Sequence, residues 1–206
     1  LENAKKEINE KLGKIDILVN GAGGNSPEAT TKIEKMEGNE AFEDTFYGLK
    51  TEGFDHVFNL NFKGTLLPSM VLTTDMISGR SGVIVNISSM NSYRPLTKIP
   101  AYSAAKAAVN NFTQWLAVHL AKTGVRVNAI APGFLLTNQN RFLLIDEKSG
   151  EMTPRGKKIL NGTPMERYCI PEELSGTLLY LVSDLSKFVT GIVIPVDGGF
   201  SAYSGV

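Results

Sequence analysis

The chain has 206 residues, 42% hydrophobic and 20% charged, which is enough for one compact domain with a sizeable core. Lysine plus arginine number 21, and aspartate plus glutamate also number 21, a balance that gives no general pull toward nucleic acid or an anionic membrane. The single cysteine, Cys169, excludes an internal disulfide and suits a reducing compartment, so the expected setting is the cytoplasm.

The opening stretch LENAKKEINEKLG places Leu1, Ala4, Ile8 and Leu12 at helical spacing, with Gly13 as a stop. It is charged and amphipathic and has no apolar signal-peptide core. IDILVN then reads as a buried strand. Residues 25 to 53 are polar with scattered glycine, and are expected to form an irregular insertion with one short helix. A long helix is expected from Phe54 to Ser78, kinked at Pro68. GVIVNISS is a second strand, residues 102 to 123 a second long helix stopped by Gly124, and VRVNAIAPG a third strand. Residues 138 to 168 are polar and are expected to be an irregular, functional loop. PEELSGTLLYLVSD is a helix with Pro171 in its first turn, and VTGIVIPVDGG is the last strand. No apolar run approaches the ~20 residues of a membrane span.

Strands alternating with helices imply an α/β fold: a doubly wound parallel sheet in three layers, Rossmann-like, as one domain over residues 1 to 206. Ligands bind such sheets at the carboxyl ends of the strands. Those ends carry Asn20-Gly21-Ala22-Gly23-Gly24, then Ser88-Ser89, then Pro132-Gly133 followed by residues 134 to 137. The helix starting near Tyr102 begins on the same edge.

Tyr102 and Lys106 stand four residues apart and share one helix face. A free phenol, with a pKa of about 10, is a poor base. A neighbouring ammonium and the positive helix N-terminus are expected to lower that value. A tuned tyrosine can then exchange a proton with an alcohol or carbonyl oxygen, and the Ser89 hydroxyl can hydrogen-bond the same oxygen. Acyl transfer is not suited, because no histidine has the sequence context of a base for a serine nucleophile. His56 and His119 lack ligand spacing, so no metal site is expected.

A Tyr-x-x-x-Lys pair alone is common on helix surfaces, but the whole pattern resembles the short-chain dehydrogenase/reductase family. Ser89 lies thirteen residues before Tyr102, the family interval, which selects it over Ser88. NGAG matches the family's Asn-Asn-Ala-Gly turn with Gly21 in place of the second asparagine. NFKG matches its Asn-x-x-Gly and makes Asn61 the fourth catalytic residue; Asn59 is the rival. PGFLLT matches its Pro-Gly motif. The resemblance implies an NAD(P)-dependent dehydrogenase or reductase acting on CH-OH groups. Its catalytic residues are Asn61, Ser89, Tyr102 and Lys106. The implied cofactor contacts are Asn20, Gly21, Ala22, Gly23, Tyr102, Lys106, Pro132, Gly133, Leu135 and Thr137. The family's Gly-rich turn between its first strand and helix does not occur in these residues, so the sheet is expected to lack the N-terminal βαβ part. The residue that chooses between NAD and NADP lies in that part.

The loop at 138 to 168 is rich in amides and cations, among them Asn138, Arg141 and Arg155. Together with TNQNRFLL, TPRGK, TPMERY and the terminal GGFSAYSGV, it resembles the fructuronate reductase branch, also called D-mannonate oxidoreductase. That branch implies NAD and a sugar-acid substrate. Arg141 is then expected to pair with the carboxylate, and Asn91, Tyr93 and Asn138, with Ser89, to contact substrate oxygens. The alternatives are a gluconate 5-dehydrogenase-like or 3-oxoacyl reductase-like enzyme, or a non-catalytic nucleotide-binding scaffold. The family also implies a homotetramer or homodimer, with no nucleic-acid or membrane partner.

Overall fold

The computed structural model describes residues 1 to 137, 140 to 147 and 149 to 205. Its sheet has four parallel strands in the order β1 (Ile17–Asn20), β2 (Gly82–Ile87), β3 (Val125–Pro132) and β4 (Val193–Val196). The helices are α1 (Glu2–Leu12), α2 (Thr51–Phe58), α3 (Gly64–Leu72), α4 (Thr74–Gly79), α5 (Pro100–Leu120), α6 (Arg141–Leu144), α7 (Pro154–Asn161) and α8 (Ser175–Val182). This is the expected α/β architecture.

Strand alternation divides the core. Leu18, Ile84 and Val127 are partners in register, and with Met76 and Ala117 they pack one sheet face against α4 and α5. Val83, Val85 and Ile130 point the other way, onto Leu181 of α8. β1 is an edge strand. Ile17 and Val19 are 46% and 42% exposed, because no described helix covers that end of the second face.

Three expectations are corrected. The expected single helix is already formed at Thr51 and is divided into three, with α3 running through Pro68. A π-helical turn, Asn59–Lys63, joins α2 to α3, and Thr73 separates α3 from α4. Hydroxyls explain the irregularity. Thr65, Ser69 and Thr73 each donate to the carbonyl four residues back, at 2.9, 2.8 and 2.6 Å, and such back-bonding bends helices. Second, the insertion at 25 to 53 holds three short 3-10 turns, and the first residue of a true helix there is Thr51. Third, the region 138 to 168 contains α6 and α7. Thr153 caps α7 by accepting from the Gly156 N–H at 3.0 Å, with Pro154 at the first helical position. Leu144 and Ile159 supply its buried side, and a Cβ at Gly156 would lie 2.4 Å from the Leu144 carbonyl, so α7 packs directly on α6.

Candidate active site

A buried polar network fastens the strand ends. Asn20 Nδ2 donates to Asn86 Oδ1 at 2.8 Å and to Ser69 Oγ at 3.0 Å, and Asn86 donates to Thr113 Oγ1 at 2.9 Å. Asn20 thus ties β1 to β2 and α3, and Asn86 ties β2 to α5. Its partners are fully satisfied, which is what makes such a network rigid in a low-dielectric interior. The Gly21-Ala22-Gly23 backbone that follows stays exposed at the edge.

Asn61 is fully buried and Asn59 is exposed, so the fold turns Asn61 inward. Asn61 Nδ2 donates to the carbonyls of Gly24 at 2.7 Å and Val57 at 2.8 Å, and Oδ1 accepts from the Gly24 N–H at 3.2 Å. The amide therefore staples the π-helical turn to the glycine turn after β1. Gly64, three residues on, lets α3 approach that turn, its notional Cβ being 3.6 Å from the Ala22 Cβ.

Ser88 and Ser89 separate cleanly. The Ser88 hydroxyl faces α5, bonded to Asn110 and 3.3 Å from Ser92 Oγ. Ser89 caps a 3-10 turn, accepting from the Asn91 N–H at 3.3 Å, and its side chain lines a cleft with Tyr102. Tyr102 is the third residue of α5, whose start at Pro100 gives it the first-turn position. Lys106 is 3% exposed, its Nζ 5.7 Å from the Tyr102 ring centroid, and it donates to the Ile87 carbonyl at 2.8 Å.

The electrostatics reverse one expectation. Burial pushes the Tyr102 phenol above its usual value of 10.0, with the Ser89 hydroxyl acting against the shift. Burial also lowers Lys106 from 10.5 to about 8. Burial is the larger effect on the phenol and holds Tyr102 in its neutral form. The pair is poised as a neutral phenol beside an ammonium, which is a proton donor.

The cleft has a volume of about 190 Å³ and is walled by Met90, Leu96, Ile99, Phe134 and Leu143, with Ser89, Asn91, Tyr102, Asn140 and Arg155 as polar members. Asn91 is 6% exposed, and its side-chain oxygen has no hydrogen-bond partner among the described residues. The segment after β3 closes one side. Cys169 N–H donates to Phe134 O at 3.0 Å, Leu136 N–H to Cys169 O at 3.2 Å, and Asn140 Nδ2 to Leu135 O at 2.6 Å. Burial raises the Cys169 thiol, the state of a packed rather than a reactive cysteine. Gly133 permits close approach of β3 to the turn after β4, since a Cβ there would sit 2.6 Å from the Asp197 Cα. A larger cavity of about 400 Å³ lies beyond Phe134, but its arginine, Arg167, is bound to Glu173 at 2.6 and 2.7 Å and none of Asn61, Ser89, Tyr102 or Lys106 lines it.

The structure therefore gathers Ser89, Asn91, Tyr102, Gly133 and Leu135 around one cleft, with Lys106 and Asn61 behind them. Pro132 and Thr137 flank that edge. Tyr93 is directed elsewhere, its hydroxyl donating to the Val193 carbonyl at 2.9 Å. Arg141 opens α6, is exposed and is not in the cleft wall. Asn138 lies outside the described residues. Arg155 was not singled out as a contact by sequence, although Thr-Pro-Arg-Gly reads as a capped helix start that would have placed it.

The exposed Gly21-Ala22-Gly23 turn leaves room for a ligand to approach the backbone at the strand ends. Lys106 has three N–H donors, and among the described residues one is spent, on Ile87. A Cβ at Gly23 would lie 2.9 Å from Asn61 Oδ1 and 3.1 Å from Lys106 Nζ. Gly23→Ala is accordingly expected to displace both groups and lower turnover by about tenfold or more while the chain still folds. Steady-state kinetics with circular dichroism checks this, and unchanged kcat would show that the contact has slack.

A family model described as Enoyl-(Acyl carrier protein) reductase matches residues 1–201. The Bacillus subtilis (strain 168) protein "Uncharacterized oxidoreductase UxuB" is 54% identical over 208 residues, covering 100% of this chain and 74% of that protein. The 2-dehydro-3-deoxy-D-gluconate 5-dehydrogenase of Dickeya dadantii (strain 3937) is 36% identical, over 93% of this chain and 68% of the relative. The crystal structure of a "putative D-Mannonate oxidoreductase" from Haemophilus influenza, with bound NAD, superposes with a TM-score of 0.94 at 54% identity, over 100% of this chain and 74% of that one.

Proposed function

The chain belongs to the short-chain dehydrogenase/reductase family, and from that premise we propose that it interconverts a ketone and a secondary alcohol on a sugar acid, D-fructuronate and D-mannonate being the substrate pair, with NAD as cofactor. One observation carries the reading: Ser89, Asn91 and Tyr102 line a single cleft, with the Lys106 ammonium beside the Tyr102 ring. The similarity to a protein named as a D-mannonate oxidoreductase with bound NAD, and to a 2-dehydro-3-deoxy-D-gluconate 5-dehydrogenase, supports the substrate class.

A nicotinamide dinucleotide supplies or accepts the hydride when bound, which no protein side chain can do. This chain's residues handle the proton. In reduction, the Tyr102 hydroxyl donates to the substrate's carbonyl oxygen, and the raised phenol keeps that proton available through neutral pH. Ser89 Oγ hydrogen-bonds the same oxygen and fixes its position. Lys106 places positive charge beside the phenol as it gives up its proton, stabilising the oxygen left behind. Asn61, by holding the glycine turn, holds the surface on which a dinucleotide would rest. The unpartnered Asn91 oxygen is an acceptor suited to a substrate hydroxyl, and leaving it unmatched carries a desolvation cost that a polyol relieves.

The test is an NADH-oxidation assay with the intact protein across sugar acids and neutral ketoses. D-fructuronate is expected to be turned over with the highest kcat/KM. Turnover confined to 3-oxoacyl thioesters would replace the sugar-acid reading, and no turnover of any carbonyl substrate would favour a non-catalytic nucleotide-binding role.

A further inference from the structure

Carboxylate recognition at this site needs a cation that faces the cleft and is not already committed. A second cavity, of about 360 Å³, shares Leu96, Ile99, Phe134, Arg155 and Ile159 with the catalytic cleft and continues it outward. Four cationic side chains line that outer cavity, and three are engaged. Lys158 pairs with Glu34, Arg94 donates to the Tyr203 carbonyl at 2.7 Å, and Lys98 donates to the Lys32 carbonyl at 2.6 Å. Arg155 has no hydrogen bond or ion pair among the described residues, and it lines both cavities. Arg141, the other arginine of the loop, lines neither.

We propose that Arg155, carried on the first turn of α7, is the residue that recognises the substrate's carboxylate and makes this site selective for acids over neutral ketoses. This rests on the sugar-acid reading. The guanidinium is always charged and matches a carboxylate with two parallel N–H donors. α7 is built to present it. The Thr153 cap, Pro154 and the close contact of Gly156 with the Leu144 carbonyl fix the helix start one residue to either side of Arg155. Arg155 stands at the wall between the two cavities and Tyr102 lies in the inner one. A substrate with its carbonyl at Tyr102 and Ser89 would therefore extend its acid end toward α7, with Asn91 accepting from a hydroxyl between.

The experiment compares D-fructuronate with D-fructose, which replaces the carboxylate by a hydroxymethyl group. Arg155→Ala is expected to lower kcat/KM for the acid by about 10- to 100-fold, mostly through KM, and to change the neutral ketose by less than about twofold. Arg155→Lys should recover part of the loss, and Arg141→Ala should leave the acid-to-ketose ratio unchanged. Equal losses on both substrates, or a selective loss in Arg141→Ala instead, would overturn the assignment. If wild type turns over no sugar acid, the functional reading fails. Arg155 is then judged by D-mannonate binding, as a thermal shift present in wild type and absent in Arg155→Ala; the same shift in both sinks the proposal.

Discussion

Replacing Tyr102 with Phe is expected to lower kcat for carbonyl reduction by about 10²- to 10⁴-fold, the usual worth of a positioned general acid. Binding of NADH should be unchanged within about twofold. The ring packs against the cluster of Ala29, Val57, Ala101 and Ala105, and phenylalanine keeps that contact. The lost atom is the hydroxyl, whose proton no other group in the cleft replaces. Ser89, the other hydroxyl of the cleft, is a neutral alcohol and not an acid of that strength. Turnover and a fluorescence titration of NADH, run on the same preparation, separate the two effects. Retained turnover would remove Tyr102 from its role.

The raised phenol gives this variant a pH signature as well. In wild type the proton donor stays protonated across the neutral range, so the Tyr102→Phe loss in the reductive direction should be the same size at pH 6 and pH 7.5. A loss that vanished toward low pH would mean that solvent delivers the proton.

How much of this was legible in the residues depends on the length scale of each feature. The choice of Ser89 over Ser88 came from an interval, and an interval survives because β2 and α5 hold both ends rigidly. The structure gives the physical side of that choice by spending the Ser88 hydroxyl on Asn110 and Ser92. Asn61 over Asn59 was readable through Gly64, which α3 needs for its approach to Ala22. α7 was hidden because it buries just Gly156 and Ile159 and shows water a run of lysines, so its sequence looks like a loop. Its cap residues were the available signal. The divisions at the π-helical turn and at Thr73 were unreadable, because the hydroxyl ladder on α3 becomes visible only when one face is known to be buried. The direction of the Tyr102 shift was unreadable for a related reason. Spacing reports that a lysine is near, but burial decides which effect wins, and burial is a property of the folded whole.

Lys106→Met is expected to do two opposite things: lower turnover by about 10²-fold or more and stabilise the fold. The folded chain holds Lys106 at about 8, against 10.5 when unfolded, because burial disfavours the ammonium. Below pH 8 the lysine is charged in both states, and burying that charge costs on the order of 3 kcal/mol. Between pH 8 and 10.5 the unfolded chain binds more protons than the folded one, so the cost fades and wild-type stability rises with pH across that window. Methionine fills a similar volume without charge. It leaves the Ile87 carbonyl without its 2.8 Å donor, a penalty of about 1 kcal/mol, so the net gain at pH 7 should be about 1–2 kcal/mol. Urea unfolding of both proteins at several pH values checks this. The two stability curves should cross between pH 8 and 10.5, methionine being the more stable at pH 7 and wild type the more stable by about 1 kcal/mol at pH 10.5, and parallel curves would show that Lys106 is not held against its charge. Such a cost persists in a fold when the site needs the ammonium, and its position beside Tyr102 and behind the Gly23 turn is where a proton-donating phenol needs it.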